Sequence, residues 1–392
     1  MAQFTAIRAL VLALLLAACP ATAYAASADE TDALSQRAAR GEADAIVQLL
    51  DLARAGEAEA QLRVGQLYFD GRVVQRDFAL ALEWWRKAAA KNQTQAMNLI
   101  GRMHQEGLGV PRDYGQARLW YKQAAEAGYA AAANNLGWLY LKGHGTGKSA
   151  VLAKEWIERA ADKDLPAALY NLAHLHANGI GVPRDAQRAL ELYRKAAERG
   201  YVPAQRAIGW HYQTAQGVER DYAEAKTWYE KAAAQGDQEA EAMIGQLLQQ
   251  GLGVPPNIDA ARQHYEKAAA GGDPVGQLFL GWLYQQGLGV TQDYGSALTW
   301  YRKSAEQGNA TAQNNIGFLY ENGRGVARDD KEAFAWYLKA AGQDEPTALY
   351  NVGNLYEEGR GVARNLDEAF RYYQRAAERG HQEARRIVGA AR

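Results

Sequence analysis

The stretch NNIGFLYENGRGVARDDKEAFAWYLKAA, running from Asn314 to Ala341, holds two apolar helical patterns joined by a glycine-rich turn. In the first, Ile316, Leu319 and Tyr320 fall at i, i+3 and i+4. In the second, Ala333, Tyr337, Ala340 and Ala341 fall at i, i+4, i+7 and i+8, one face of a 3.6-residue period. Between them, Gly323-Arg324-Gly325-Val326 supplies glycine for the left-handed conformation that ends a helix. Asp329 then accepts hydrogen bonds from the free N–H groups at the start of the second helix.

The same block recurs along the chain at a spacing of 36 residues. The glycine at Gly317 has counterparts at Gly65, Gly101, Gly137, Gly209, Gly245, Gly281 and Gly353, with Ala173 in the fourth copy and Gly389 opening a tenth. The turn repeats as Gly107-Leu108-Gly109-Val110, Gly179-Ile180-Gly181-Val182 and Gly287-Leu288-Gly289-Val290. The cap repeats as Asp77, Asp113, Asp185, Asp221, Asn257, Asp293 and Asn365. Gly128, Gly200, Gly236, Gly308 and Gly380 stop the second helix, and Ala132, Ala168, Ala204, Ala240 and Ala312 enter the next. A fixed period of this length is the mark of a stacked array, in which each unit buries its apolar face against its neighbours.

These residues resemble the Sel-1-like repeat family, the 36-residue relative of the tetratricopeptide repeat. The resemblance implies an all-α fold, a right-handed superhelical α-solenoid of nine helix-turn-helix repeats with terminal capping helices. Residues 57–380 are expected to hold the nine repeats, 26–56 an N-terminal capping half-repeat and 381–392 a closing helix. The third copy departs at Gly147, Lys148 and Ser149, and the sixth has Leu248 where others have Tyr.

The N-terminus reads as an export signal. Arg8 closes a short basic region, and Ala9 to Ala18 is apolar but too short to span a bilayer. Two processing routes fit. Ala23-Tyr24-Ala25 offers small residues for cleavage before Ala26, making 1–25 a signal peptide. Leu16-Ala17-Ala18-Cys19 resembles a lipobox, which would remove 1–18 and put a lipid anchor on Cys19. Cys19 is the only cysteine, so no intramolecular disulfide forms. The 44 basic and 45 acidic residues nearly cancel, leaving no electrostatic footprint for nucleic acid. The expected location is the periplasm or cell envelope, with secretion as a further route.

With the glycine of the first helix at zero and 100° per residue, positions −1, +2 and +3 form the packed face. Positions −3, −2, +1, +4 and +5 fall between about 40° and 160°. The resemblance places that second face on the concave side of the superhelix. It carries Asn135, Asn171, Asn315 and Asn351 at −2, and Trp138, His174, Trp210, Trp282, Phe318 and Asn354 at +1. Asn178, Gln250, Gln286 and Asn322 add amides at +5. Amides beside exposed aromatics can hydrogen-bond an extended backbone and stack on flat apolar faces. The alternative is that the Trp residues pack on the adjacent repeat and the Asn residues tie first helices together.

Three constellations look like chemistry. Gly143-His144-Gly145-Thr146-Gly147-Lys148-Ser149 approaches a phosphate-binding loop, but Lys142 stands where the first glycine is needed and no strand precedes it. His174 and His176, two residues apart on a helix, point about 200° apart and cannot share a metal ion. His104 and His176 occupy the packed Tyr position. The five serines have no evident His and Asp partners. No catalysis, cofactor or metal is expected. The leading expectation is an exported scaffold that binds a protein partner, a peptide segment or a helix, along the groove. A glycan-binding module is the second reading. A hydrolase akin to disulfide-rich β-lactam-binding relatives is the third, and those relatives carry cysteine pairs that this chain lacks.

Overall fold

The computed structural model describes residues 28–390, and the export-signal reading of the first 25 residues lies outside them. The described residues form 21 α-helices and no strand. They divide into two compact units, one ending at Tyr201 and the other beginning at Val202.

In the first unit, α1 (Ala28–Ala39) and α2 (Ala43–Ala55) occupy the segment read as a half-repeat. Four helix pairs follow. They are α3 (Ala58–Asp70) with α4 (Phe78–Ala89), α5 (Thr94–Glu106) with α6 (Tyr114–Glu126), α7 (Ala130–Lys142) with α8 (Ala150–Ala161), and α9 (Pro166–Asn178) with α10 (Ala186–Glu198). The second unit holds five more. They are α11 (Val202–Thr214) with α12 (Tyr222–Ala233), α13 (Gln238–Gln250) with α14 (Ile258–Ala270), α15 (Pro274–Gln286) with α16 (Tyr294–Glu306), α17 (Ala310–Asn322) with α18 (Asp330–Ala341), and α19 (Pro346–Glu358) with α20 (Leu366–Glu378). The chain then enters α21 (Gln382–Ala390). Each unit is an all-α solenoid, the fold class the repeat implied.

The helix ends follow the sequence signals. Gly323 closes α17 at φ 63°, and Gly325 holds φ 69° while its backbone lies against Tyr294, where a Cβ would stand 2.5 Å from the carbonyl carbon. The turn therefore rests on the start of the preceding repeat's second helix. The Asp329 carboxylate accepts from the N–H groups of Lys331 and Glu332. Ser149 caps α8 in the divergent third copy by accepting from Leu152 N–H. Where the stop glycine is absent, Asn92, Asp164 and Asp344 take the left-handed conformation, which short polar side chains tolerate.

The core of seven of the nine repeats is a ring set on the zero-position glycine. A Cβ built on Gly101, Gly209, Gly245, Gly281, Gly317 or Gly353 would stand 2.5–2.8 Å from the ring of Tyr121, Tyr229, Tyr265, Tyr301, Tyr337 or Tyr373, respectively. Each of these hydroxyls donates to a side chain at +4 of its own repeat: Gln105, Gln213, Gln249, Gln285, Glu321 and Glu357, at 2.6–3.0 Å. The buried phenol is thereby satisfied, as a buried polar group must be. Burial pushes all six phenols well above the usual tyrosine range.

Where the ring changes, the acceptor changes with it. Trp85 packs on Gly65 and on Phe69 at +4, donating its indole N–H to the Leu62 carbonyl at 3.0 Å. Ile157 packs on Gly137, with Leu141 at +4. In the fourth repeat Ala173 is fully buried, Ala177 stands at +4, and Tyr193 packs against Tyr170 at 5.4 Å.

Gly281→Ala should therefore force the Tyr301 ring off its seat and off Gln285. A net loss of roughly 1–2 kcal/mol is expected in urea unfolding, overpacking exceeding the gain in helix propensity. Gly389→Ala, where an added Cβ meets nothing within 4 Å, should leave stability unchanged or slightly raised.

Candidate functional site

Each first helix carries its −2 and +1 residues away from the ring-on-glycine contact, and the structure assigns most of the amides a partner. In the first unit, Asn135 donates to Asn98 at 3.0 Å and Asn171 to Asn134 at 2.8 Å, each joining consecutive first helices. In the second, Asn351 donates to Asn314 at 3.0 Å. Asn315 opposes the rise in the Tyr301 pKa, and Asn354 accepts from the Tyr373 hydroxyl at 2.9 Å. At +5, Asn178 and Asn322 each donate to a carbonyl of their own helix, those of His174 and Phe318. Asn135, Asn171 and Asn351 at −2 tie consecutive repeats, whereas Asn354, Asn178 and Asn322 bond within their own repeat.

The aromatics at +1 divide differently. Trp210 is 46% exposed and is the outward-facing tryptophan of the second unit's first helices. Trp282 is half-buried and packs against two core clusters, those around Tyr265 and Tyr301. Phe318 is half-buried beneath the Arg324 guanidinium, 5.3 Å from the ring centroid. In the first unit Trp138 is half-buried with its ring edge-on to His144 at 5.2 Å, and His174 is exposed. Two of the charged groups near this face are paired, while Lys142 at +5 of the third repeat is exposed. Arg206 bridges Asp237 at 3.0 Å and Glu239 at 2.6 Å, and Arg360 bridges Glu321 at 2.6 Å. Burial raises the Glu239 carboxyl, with Arg206 opposing it.

The loop Gly143 to Ser149 is a helix-to-helix turn of the same form as the others. Gly143 and Gly145 are left-handed, and the backbone of Gly145 lies against Tyr114 and Gly115 at the start of α6. His144 fills the apolar slot of the turn, 4.4 Å from the Tyr114 ring. Among the described residues, no three His, Cys, Asp or Glu side chains are placed to hold a metal ion. Nor is any helix long and apolar enough to cross a membrane.

Two features escaped the sequence reading. Buried Gln61, Gln277 and Gln313, at −4, donate to the carbonyls of Ala53, Ala269 and Ala305 in the preceding second helix. Their signal was a polar residue recurring on an apolar face. The second helices also carry a stacked tryptophan row. Lys87, Arg159, Lys231, Lys303 and Lys339 lie 3.9–4.5 Å from the rings of Trp84, Trp156, Trp228, Trp300 and Trp336. Within the motif A-x-x-W-Y-x-K-A-A, the W and the K three residues later make this pair.

With this geometry established, nine consecutive Sel1 repeat matches cover residues 58–381, beginning at 58–93 and ending at 346–381. The chain belongs to the Sel1 repeat family, whose members generally mediate protein–protein interaction and are generally non-catalytic scaffolds. Among solved structures it is similar to a protective antigen present in uropathogenic Escherichia coli strains. That match has 32% identity and a TM-score of 0.54, over 88% of this chain and 82% of the antigen. It is also similar to a Sel1 repeat protein from Oxalobacter formigenes, at 33% identity and a TM-score of 0.59, over 64% of this chain and all of that one. No curated protein matches the chain.

The histidines in the packed Tyr slot make a test of burial. His104 is held below the usual histidine range, first by burial and then by Arg86, with Asp113 opposing. Its Nδ1 is buried without a partner. A depressed folded value favours the neutral ring, so its stabilisation is complete above the unfolded value near 6.5 and is lost as pH falls below it. Thermal melts should therefore decline from about pH 7 to about pH 5. His104→Tyr, restoring the residue of repeats 1, 3, 5, 7, 8 and 9, should make that decline shallower.

Proposed function

We propose that the protein is an exported, non-catalytic scaffold that captures a protein partner along the +1 face of its first helices. The observation that carries the reading is Trp210, 46% exposed on a face whose −2 asparagines are mostly tied within the fold. A large apolar ring left in water beside satisfied amides is the kind of anchor that protein interfaces bury. Within the second unit the remaining contacts then come from the half-buried rims of Trp282 and Phe318. Export rests on the basic and apolar pattern of the first 25 residues, with cleavage before Ala26 or lipidation of Cys19 as the two routes.

The glycan reading is the weaker one on physical grounds. It needs free amides to pair with hydroxyls, and Asn135, Asn171, Asn351 and Asn354 already have partners within the fold. Nothing in the residue geometry favours the hydrolase reading.

Crosslinking in intact cells, followed by mass spectrometry, tests the proposal and reads the mature N-terminal peptide in the same experiment. Trp210→Ala should abolish capture while changing stability by less than about 0.5 kcal/mol, as for an exposed side chain. Trp282→Ala should also weaken capture, but at a cost of about 2 kcal/mol because its ring packs on two clusters. Equal capture by wild type and Trp210→Ala would remove this face from the interaction. Recovery of the chain with residues 1–18 intact would remove both export routes.

A further inference from the structure

Five tryptophans of the second helices carry a cation of their own chain over the ring, supplied three residues later. Trp120 on α6 stands in the same register, but the residue three positions on is Gln123. Trp120, Gln123, Met97, Arg86 and Glu126 line an open recess of 540 Å³ between the ends of α4 and α6. One repeat later the corresponding recess is smaller, 410 Å³, and is lined by Arg159, which occupies the Gln123 position and stacks on Trp156 at 4.5 Å. The chain thus shows at Trp156 what fills such a place and lacks it at Trp120.

We propose that the Trp120 recess binds an aliphatic ammonium group, the lysine side chain of a bound polypeptide, in the position that Lys or Arg of this chain takes in the other repeats. The indole face attracts a cation through its quadrupole. Met97 offers apolar surface to the methylene stem. Glu126 brings a carboxylate to the rim, and its existing partner Lys122 is 3.5 Å away with both side chains about half exposed, a pairing worth little in water. Arg86 on the opposite rim repels a bare cation but can donate to a peptide carbonyl. That favours lysine within a polypeptide over an isolated quaternary ammonium. The recess is made by the ends of two second helices and Met97 of α5, and does not involve Trp210 or the other +1 residues, so it stands apart from the proposed capture face.

The test is titration of the full chain, labelled with ¹⁵N at tryptophan, with N-acetyl-lysine methylamide. The Trp120 indole signal, assigned through Trp120→Phe, should shift saturably with a Kd on the order of 10 mM. Gln123→Lys, an exposed change that supplies the missing cation internally, should weaken that binding by about tenfold or more. The neutral norleucine analogue should bind at least about tenfold more weakly than the lysine derivative. No saturable shift, equal binding of the norleucine analogue, or no effect of Gln123→Lys would overturn the proposal. Tighter binding of choline than of the lysine derivative would overturn the assignment to lysine.

Discussion

Seven of the nine repeats close by setting one ring of the second helix on a bare stretch of the first. The glycine exists because the ring needs that space, and the residue four positions later exists because a phenol sunk among helices needs an acceptor. In six of the nine repeats these three residues form one device, as in Gly281, Tyr301 and Gln285. The three exceptions obey the same constraint. Trp85 and Ile157 come with the apolar partners Phe69 and Leu141, and Tyr193 comes with neither glycine nor polar acceptor and packs on Tyr170. Alanines fully buried on both helices let the axes approach closely enough for the contact to form. The turn then has little freedom, since its second glycine must lie on the helix start of the repeat before.

That constraint decides which side chains remain for binding. The +4 residues, which helical geometry places on the outer face, are recruited inward by the tyrosine hydroxyls. The −2 asparagines are recruited sideways to the next first helix. What remains on the face includes the +1 aromatics, Trp210 the most exposed of them, and the exposed amides of Gln250 and Gln286. On the second helices the tryptophans are covered by their own lysines and arginines, except where Gln123 leaves Trp120 without one. Function in such an array comes from departures from the repeat, because the repeat itself uses nearly every polar group for cohesion.

Much of the fold was legible in the sequence. A 36-residue period, a left-handed glycine, an Asp or Asn cap and an alanine-rich second helix each have one local physical meaning, and all of them held at the positions read. The helix-to-helix turn at Gly143 to Ser149 was also legible, since it follows from register. The site was less so. Helical angles placed Asn135, Asn171, Asn315, Asn351 and Asn354 on a common face, but an angle does not reveal whether the facing residue one repeat earlier is another asparagine within reach. The pairing of Tyr301 with Gln285 is a contact across a turn, sixteen residues apart, invisible to a single-helix projection. It did leave a trace: the polar or apolar character at +4 switches with the ring it serves. The division between exposed Trp210 and packed Trp282 left no such trace, because both occupy the same register.

The most direct measurement is a double-mutant cycle on Tyr301→Phe and Gln285→Leu, read by urea unfolding. If the hydroxyl and the amide form one buried unit, the pair should show a coupling of about 1 kcal/mol. The double variant would then be no less stable than the worse single one. Strictly additive losses would contradict the lock, leaving the glycine seat as a matter of shape alone.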